Sequence, residues 1–196
     1  MYNILFLNLY AKNIMKKGLL LIMFLMVSCC IIAQNSSKKL TFAVGPVAYL
    51  PISDYNTYYN PGFGGEVEAA YKFSEKFEGF VQAGYSTFSG KRVSGTYLGF
   101  PYTIDAPKLG YLPILGGVRY TTGNFTFGAA AGVGIYSTTD STGGSFTYGP
   151  QIGYTTGKVQ IVANMITTTV RTDDPIFSLA NVSSISAVGI KLFYKF

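Results

Sequence analysis

The sequence predicts an all-β chain, an eight-stranded antiparallel up-and-down transmembrane β-barrel preceded by a signal peptide. Three observations carry this. Large apolar residues recur at every second position from about residue 40 to the end, which is the side-chain repeat of a strand. Short and long connections alternate along the chain, so tight turns fall on one side and loops on the other. The composition is apolar, with 48% hydrophobic, 16% aromatic and only 12% charged residues. Soluble domains carry roughly 25% charged residues.

The first element is a targeting segment. "MKKGLLLIMFLMVSCCIIAQ" begins at Met15, with Lys16 and Lys17 as a positive head and Gly18 to Ile32 as an almost unbroken apolar core. Ala33 puts a small residue before Gln34 where a signal peptidase would cut, and the core is short for a membrane span. The expected division is 1–33 as N-terminal extension and signal peptide, with Met15 as the start, and 34–196 as the barrel domain. A second reading of "MVSC" makes Cys29 a lipid acceptor, although Cys30-Ile31-Ile32 is not the polar tether that such a site usually precedes. Cys29 and Cys30 are the chain's two cysteines. Cleavage after Ala33 leaves no disulfide, thiolate nucleophile or cysteine metal site.

The net charge of +6 shrinks once Lys12, Lys16 and Lys17 are set aside. The remaining 12 basic residues face 9 acidic ones. Only the pairs Lys38-Lys39 and Lys91-Arg92 cluster, so nucleic acid is not an expected partner.

Eight strands follow in order. "LTFAVGPVAYL" opens the series. "FGGEVEAAYKF" sets Phe63, Val67, Tyr71 and Phe73 on one face against Glu66, Glu68 and Lys72. "FEGFVQAGYSTF" sets Phe77, Val81 and Tyr85 against Glu78 and Gln82. "GYLPILGGVRY", "NFTFGAAAGVGIY", "FTYGPQIGY" and "KVQIVANMI" repeat the alternation, and "SISAVGIKLFYKF" closes it with Val188, Ile190, Leu192, Tyr194 and Phe196 in phase. Tight turns are expected at 74–76, 121–123 and 155–157, and longer connections at about 51–62, 90–108, 137–145 and 171–184.

The polar face is built mainly of Gly, Ala, Ser, Thr, Gln and Asn, which suits the crowded interior of a narrow barrel. The apolar face is continuous and ends in Tyr and Phe, the pattern of interfacial girdles. A soluble sandwich also alternates. The export signal, the even strand number, the alternating loops and the low charge together favour the membrane barrel. A transmembrane helix is excluded for the mature chain, because "FTFGAAAGVGIY" is short, alternating and broken by glycine.

With these pieces in view, "YLPILGGVRY", "FTFGAAAGVGIY", "FTYGPQIGY" and the closing "IKLFYKF" make residues 39–196 resemble the small outer-membrane β-barrels of Gram-negative bacteria, the OmpA/OmpX-like eight-stranded family. The resemblance implies an outer-membrane location with periplasmic termini. It also implies that Leu192, Tyr194 and Phe196 form the signal read by the barrel-assembly machinery, with the closing strand paired to the first. No catalytic motif carries over. Enzymes among such barrels depend on histidine, and this chain has none, so no enzyme activity and no cofactor are expected.

The candidate functional residues form two groups. Glu66, Glu68, Lys72, Glu78, Arg119 and Lys191 fall on the inward phase, where opposite charges must pair. Glu78 and Arg119 lie at the turn end of adjacent strands and are the expected ion pair. The cluster reads as a structural plug or, alternatively, as a gated conduction path. In the loop 90–108, Lys91, Arg92, Tyr97 and Tyr102 are surface-contact candidates; the competing reading is an upper aromatic girdle touching lipopolysaccharide phosphates. Asp173-Asp174 before Pro175 reads as a turn in preference to a calcium site, which needs six or more oxygens. Two function classes remain: a structural or surface-interaction barrel (envelope integrity, adhesion or host contact), or a small channel or carrier for small or hydrophobic solutes. The expected partners are outer-membrane lipid and lipopolysaccharide. The extracellular ligand is unknown.

Overall fold

A computed structural model describes residues 40–97, 100–139, 141–169 and 184–196. The targeting segment with Cys29 and Cys30, and the Asp173-Asp174 pair, lie outside the described residues. The period-two stretches become strands β1 (Leu40–Ile52), β2 (Tyr59–Lys72), β3 (Phe77–Gly90), β6 (Leu109–Thr122), β7 (Phe125–Ser137), β8 (Thr142–Thr156), β9 (Val159–Thr169) and β10 (Ser184–Lys195). They form one closed barrel in the order β1-β10-β9-β8-β7-β6-β3-β2. Among the described residues no helix is long and apolar enough to cross a membrane.

Closure explains why the chain ends on an aromatic ladder. β10 pairs with β1 from Ala43↔Lys195 to Ile52↔Ser186, and the Phe196 N–H donates to the Phe42 carbonyl at 2.9 Å. Closure removes the free edges that a membrane would leave unsatisfied. Val188, Ile190, Leu192, Tyr194 and Phe196 all face outward, with Phe196 72% exposed.

The barrel is apolar outside and polar inside. Phe63, Val67, Val81, Ile114, Val118, Ile152 and their neighbours are exposed, whereas Glu66, Gln82, Thr147, Gln160 and Asn164 are buried. An apolar surface of this extent is stable only against lipid or another apolar phase. Outward aromatic pairs ring the turn end: Tyr71–Phe73, Phe77–Tyr120, Phe125–Tyr154 and Tyr194–Phe196, with centroids 5.1–5.7 Å apart.

The three turns at this end follow from local chemistry. Ser74 Oγ accepts from the Phe77 and Lys76 N–H groups at 3.1 and 3.3 Å. Gly123 and Gly157 take positive φ of 55° and 56° as the first residue of two-residue turns, a position that favours glycine in primed hairpins.

The opposite end departs from expectation. Strands there outrun their hydrophobic pattern. β8 begins at Thr142 instead of residue 146, and just before it the Thr138 N–H donates to the Ser141 carbonyl at 2.8 Å. The connection expected at 51–62 shrinks to a single helical turn, α1 (Tyr55–Tyr58). The expected loop 90–108 is a hairpin, β4 (Arg92–Tyr97) and β5 (Phe100–Asp105). Its pairs, Arg92↔Asp105 to Tyr97↔Phe100, keep the register of Phe77↔Tyr120 to Phe88↔Leu109. One long hairpin therefore runs through the barrel wall and beyond it. Gly90 permits this, since a Cβ there would lie 1.8 Å from the Ala106 carbonyl oxygen.

Candidate functional site

The interior is layered from the turn end upward. At the turn end Arg119 on β6 faces Glu78 on β3 across the ladder. Its Nε donates to Glu78, its Nη2 donates to Glu68 on β2, and its Nη1 donates to the second Glu68 oxygen at 3.2 Å. The Phe80 ring lies 4.6 Å from the guanidinium carbon. One cation thus holds two carboxylates, all three buried. A second pair sits further in: Lys191 Nζ is 2.7 Å from Glu66 Oε2, and the Tyr49 hydroxyl donates to Glu66 Oε1. Lys191 is 0% exposed. A buried charge of this kind is stabilised by a paired counter-charge, which Glu66 supplies.

Lys72 differs from the expected cluster. It ends β2 where the strand meets water, so it is exposed on the rim although its phase is inward. There it lines a polar recess of about 240 Å³ with Glu78, Thr155 and Lys195. Phase alone places a side chain on a face; only distance from the strand end decides whether that face is still enclosed.

Toward the loop end the Tyr111 hydroxyl meets Thr168 Oγ1 at 2.9 Å, and Thr168 meets Thr147 at 2.7 Å. At the loop end the lining turns apolar and aromatic. Tyr49, Tyr55, Tyr59, Phe88, Tyr111 and Tyr136 form one cluster with Leu109, Ile166 and Ile185. Tyr55 belongs to α1, not to a strand. Its ring enters from above and packs 4.9 Å from Tyr59 and 5.4 Å from Phe88. Burial pushes its hydroxyl pKa well up, and that hydroxyl has no hydrogen-bond partner. Ser53, at the entry to α1, has φ of 57°, a left-handed conformation costing roughly 1–2 kcal/mol for a residue with a Cβ. Sequence reasoning missed this cluster. Tyr55, Tyr58 and Tyr59 fall within the stretch 51–62, which reads from sequence as a connection.

The surface candidates have separate fates. Lys91 is a clamp: its Nζ donates to the Asn56 carbonyl at 2.6 Å and reaches Asn56 Oδ1 at 3.2 Å, tying the hairpin base to α1. Arg92 is paired with Asp105 at 2.6 Å on the exposed hairpin. The hydrogen bond from Arg92 holds the Asp105 carboxyl below its usual range, and the same bond raises Arg92. Tyr97 stands opposite Phe100 in the ladder. Tyr102 is exposed, and Phe100 is 76% exposed.

A closed eight-stranded barrel, apolar outside and ion-paired inside, defines a small outer-membrane-type β-barrel protein. The family profile described as "Putative MetA-pathway of phenol degradation" matches residues 18–175, and the chain belongs to that family. No curated protein matches it. Among solved structures, Ail of Yersinia pestis in a phospholipid bilayer nanodisc is similar with a TM-score of 0.52 at 12% identity, over 81% of this chain and 100% of that one. The N-terminal β-barrel domain of Pseudomonas aeruginosa OprF gives 0.42 at 12% identity, over 82% and 100%. Neisserial surface protein A gives 0.47 at 11% identity, over 80% and 95%. At such identity the likeness to Ail is one of fold.

Proposed function

We propose that the protein is an outer-membrane barrel of a Gram-negative bacterium with a structural or surface-interaction role, its lumen largely plugged by side chains. The observation that carries the reading is the β4–β5 hairpin. It extends the β3–β6 ladder in register past the last barrel partners, Tyr59↔Gly90 on one side and Gly110↔Ser137 on the other. A stiff arm with an exposed Phe100 and Tyr102 suits contact with another surface. The Arg119 and Lys191 ion pairs support the plug, since paired buried charges leave no free path for an ion. The start of β1 and the end of β10 lie at the turn end, which in this reading is periplasmic. Outer-membrane lipid and lipopolysaccharide meet the apolar band, and the assembly machinery reads Leu192, Tyr194 and Phe196. The test is to replace 92–105 with a two-residue turn and compare cell adhesion and single-channel conductance with wild type. Lost adhesion with conductance still absent supports the reading; a conducting wild-type barrel overturns the plug.

A second reading, a carrier for small hydrophobic solutes, is favoured by two observations: the loop-end lumen is lined by aromatic rings, and the family description names phenol degradation. Uptake of labelled aromatic solutes by cells with and without the protein tests it.

A further inference from the structure

We propose that the slot filled by Tyr55 is a binding site for a small monocyclic aromatic solute, with the Tyr55 ring as its built-in occupant. The inference rests on the carrier reading for its biological use, but the site itself is argued from geometry. The ring is 1% exposed and lies against Tyr59 and the edge of Phe88, with Tyr49 stacked on Phe88 at 6.3 Å. Faces and edges so arranged favour an aromatic ring over an aliphatic body of equal size.

Two features weaken the resident ring. Its hydroxyl is buried without a partner, so the slot strips that group of water and returns nothing. The chain reaches α1 through the left-handed Ser53. What holds α1 in place is a small set of polar contacts, chiefly Lys91 to Asn56 and the Lys91 N–H to the Tyr58 carbonyl at 2.7 Å. A ring without a hydroxyl fits the same surroundings without the stranded group. The slot therefore prefers toluene to p-cresol, and an incoming ring displaces 53–58 outward.

The chain contains no tryptophan, so one can report on α1 alone. Thr57→Trp is an exposed position on α1, and Thr142→Trp is an exposed control on β8. The refolded full chain in detergent is titrated with toluene, p-cresol and methylcyclohexane while fluorescence anisotropy is read. The expected result is a saturable fall at position 57, none at 142, with toluene acting at lower concentration than p-cresol and methylcyclohexane without effect. Adding Tyr55→Phe removes the stranded hydroxyl and should raise the toluene midpoint about tenfold. In the unsubstituted protein, chymotrypsin cleavage within 55–59 should quicken on adding toluene. No saturable change at 57 together with unchanged cleavage, equal changes at 57 and 142, or an unshifted midpoint with Tyr55→Phe each overturn the proposal. Saturable binding here with no uptake in cells removes the carrier reading and leaves the site; uptake without binding removes the site alone.

Discussion

The triad at the turn end makes a prediction that pair counting alone would miss. Arg119 holds Glu78 through Nε and Glu68 through both terminal nitrogens, so the two single truncations are unequal. Glu78→Ala leaves Arg119 still paired with Glu68. The loss is one charge-assisted hydrogen bond, about 1.5–3 kcal/mol when enclosed, and less here because Glu78 is near the mouth and water screens it. Arg119→Ala leaves two buried carboxylates facing each other, which costs about 3–5 kcal/mol. In that background removing Glu78 relieves repulsion, so the double variant should be no less stable than Arg119→Ala alone. The coupling energy should therefore reach about 1–3 kcal/mol. Urea unfolding of the refolded barrel from lipid vesicles, followed by circular dichroism, measures all four corners of the cycle. Costs that add within about 0.5 kcal/mol, or a Glu78→Ala cost above that of Arg119→Ala, would refute the shared-cation reasoning.

Three further expectations are simpler. Cysteines placed at Ser94 or Thr142 should be labelled in intact cells by an impermeant reagent, whereas one at Gly123 should not; equal labelling of both sides counts against periplasmic turns. Deleting Phe196 should lower the amount of barrel inserted in cells while refolding in detergent survives, as expected of an assembly signal, and normal insertion would remove that role. The Asp105 carboxyl, held low by Arg92, contributes hairpin stability above its ordinary value of about 3.9, and that contribution is lost as pH falls through the lower folded value. Both groups are fully exposed, so the change should be slight and vanish at high salt; chemical shifts of β4 and β5 that stay constant from pH 6 to pH 2 would exclude it.

The barrel itself was legible because its period, turn positions and strand number all point to one architecture. The Glu78–Arg119 contact was legible too, since both residues share a phase and a distance from the turns. Glu68 was harder to assign to Arg119. It lies on β2, two strands from β6, and only barrel curvature brings it across the lumen. Lys72, directly opposite Glu78 in the ladder, looks from sequence like the better partner, but it sits at the rim where water competes. The hairpin 92–105 was hidden by its composition: "RVSGTYLGFPYTID" carries Gly and Pro, which read as loop, while its register is inherited from β3 and β6. Tyr55 could not be placed in the lumen, because nothing local to α1 shows that a barrel mouth lies beneath it.

Closure of the sheet has a kinetic consequence. Neighbouring strands such as β6 and β7 meet across a two-residue turn, but β1 and β10 join residues as far apart as Ala43 and Lys195. Drawing the ends of so long a segment together costs about 3 kcal/mol more chain entropy than closing a four-residue loop, so the hairpins should zip first and the β1–β10 seam last. Lys191 on β10 reaches Glu66 on β2 across the intervening β1. That ion pair cannot exist in the open sheet, and it gives its stabilisation only at the final step. Its loss should therefore appear mainly as faster unfolding, with the folding rate little changed.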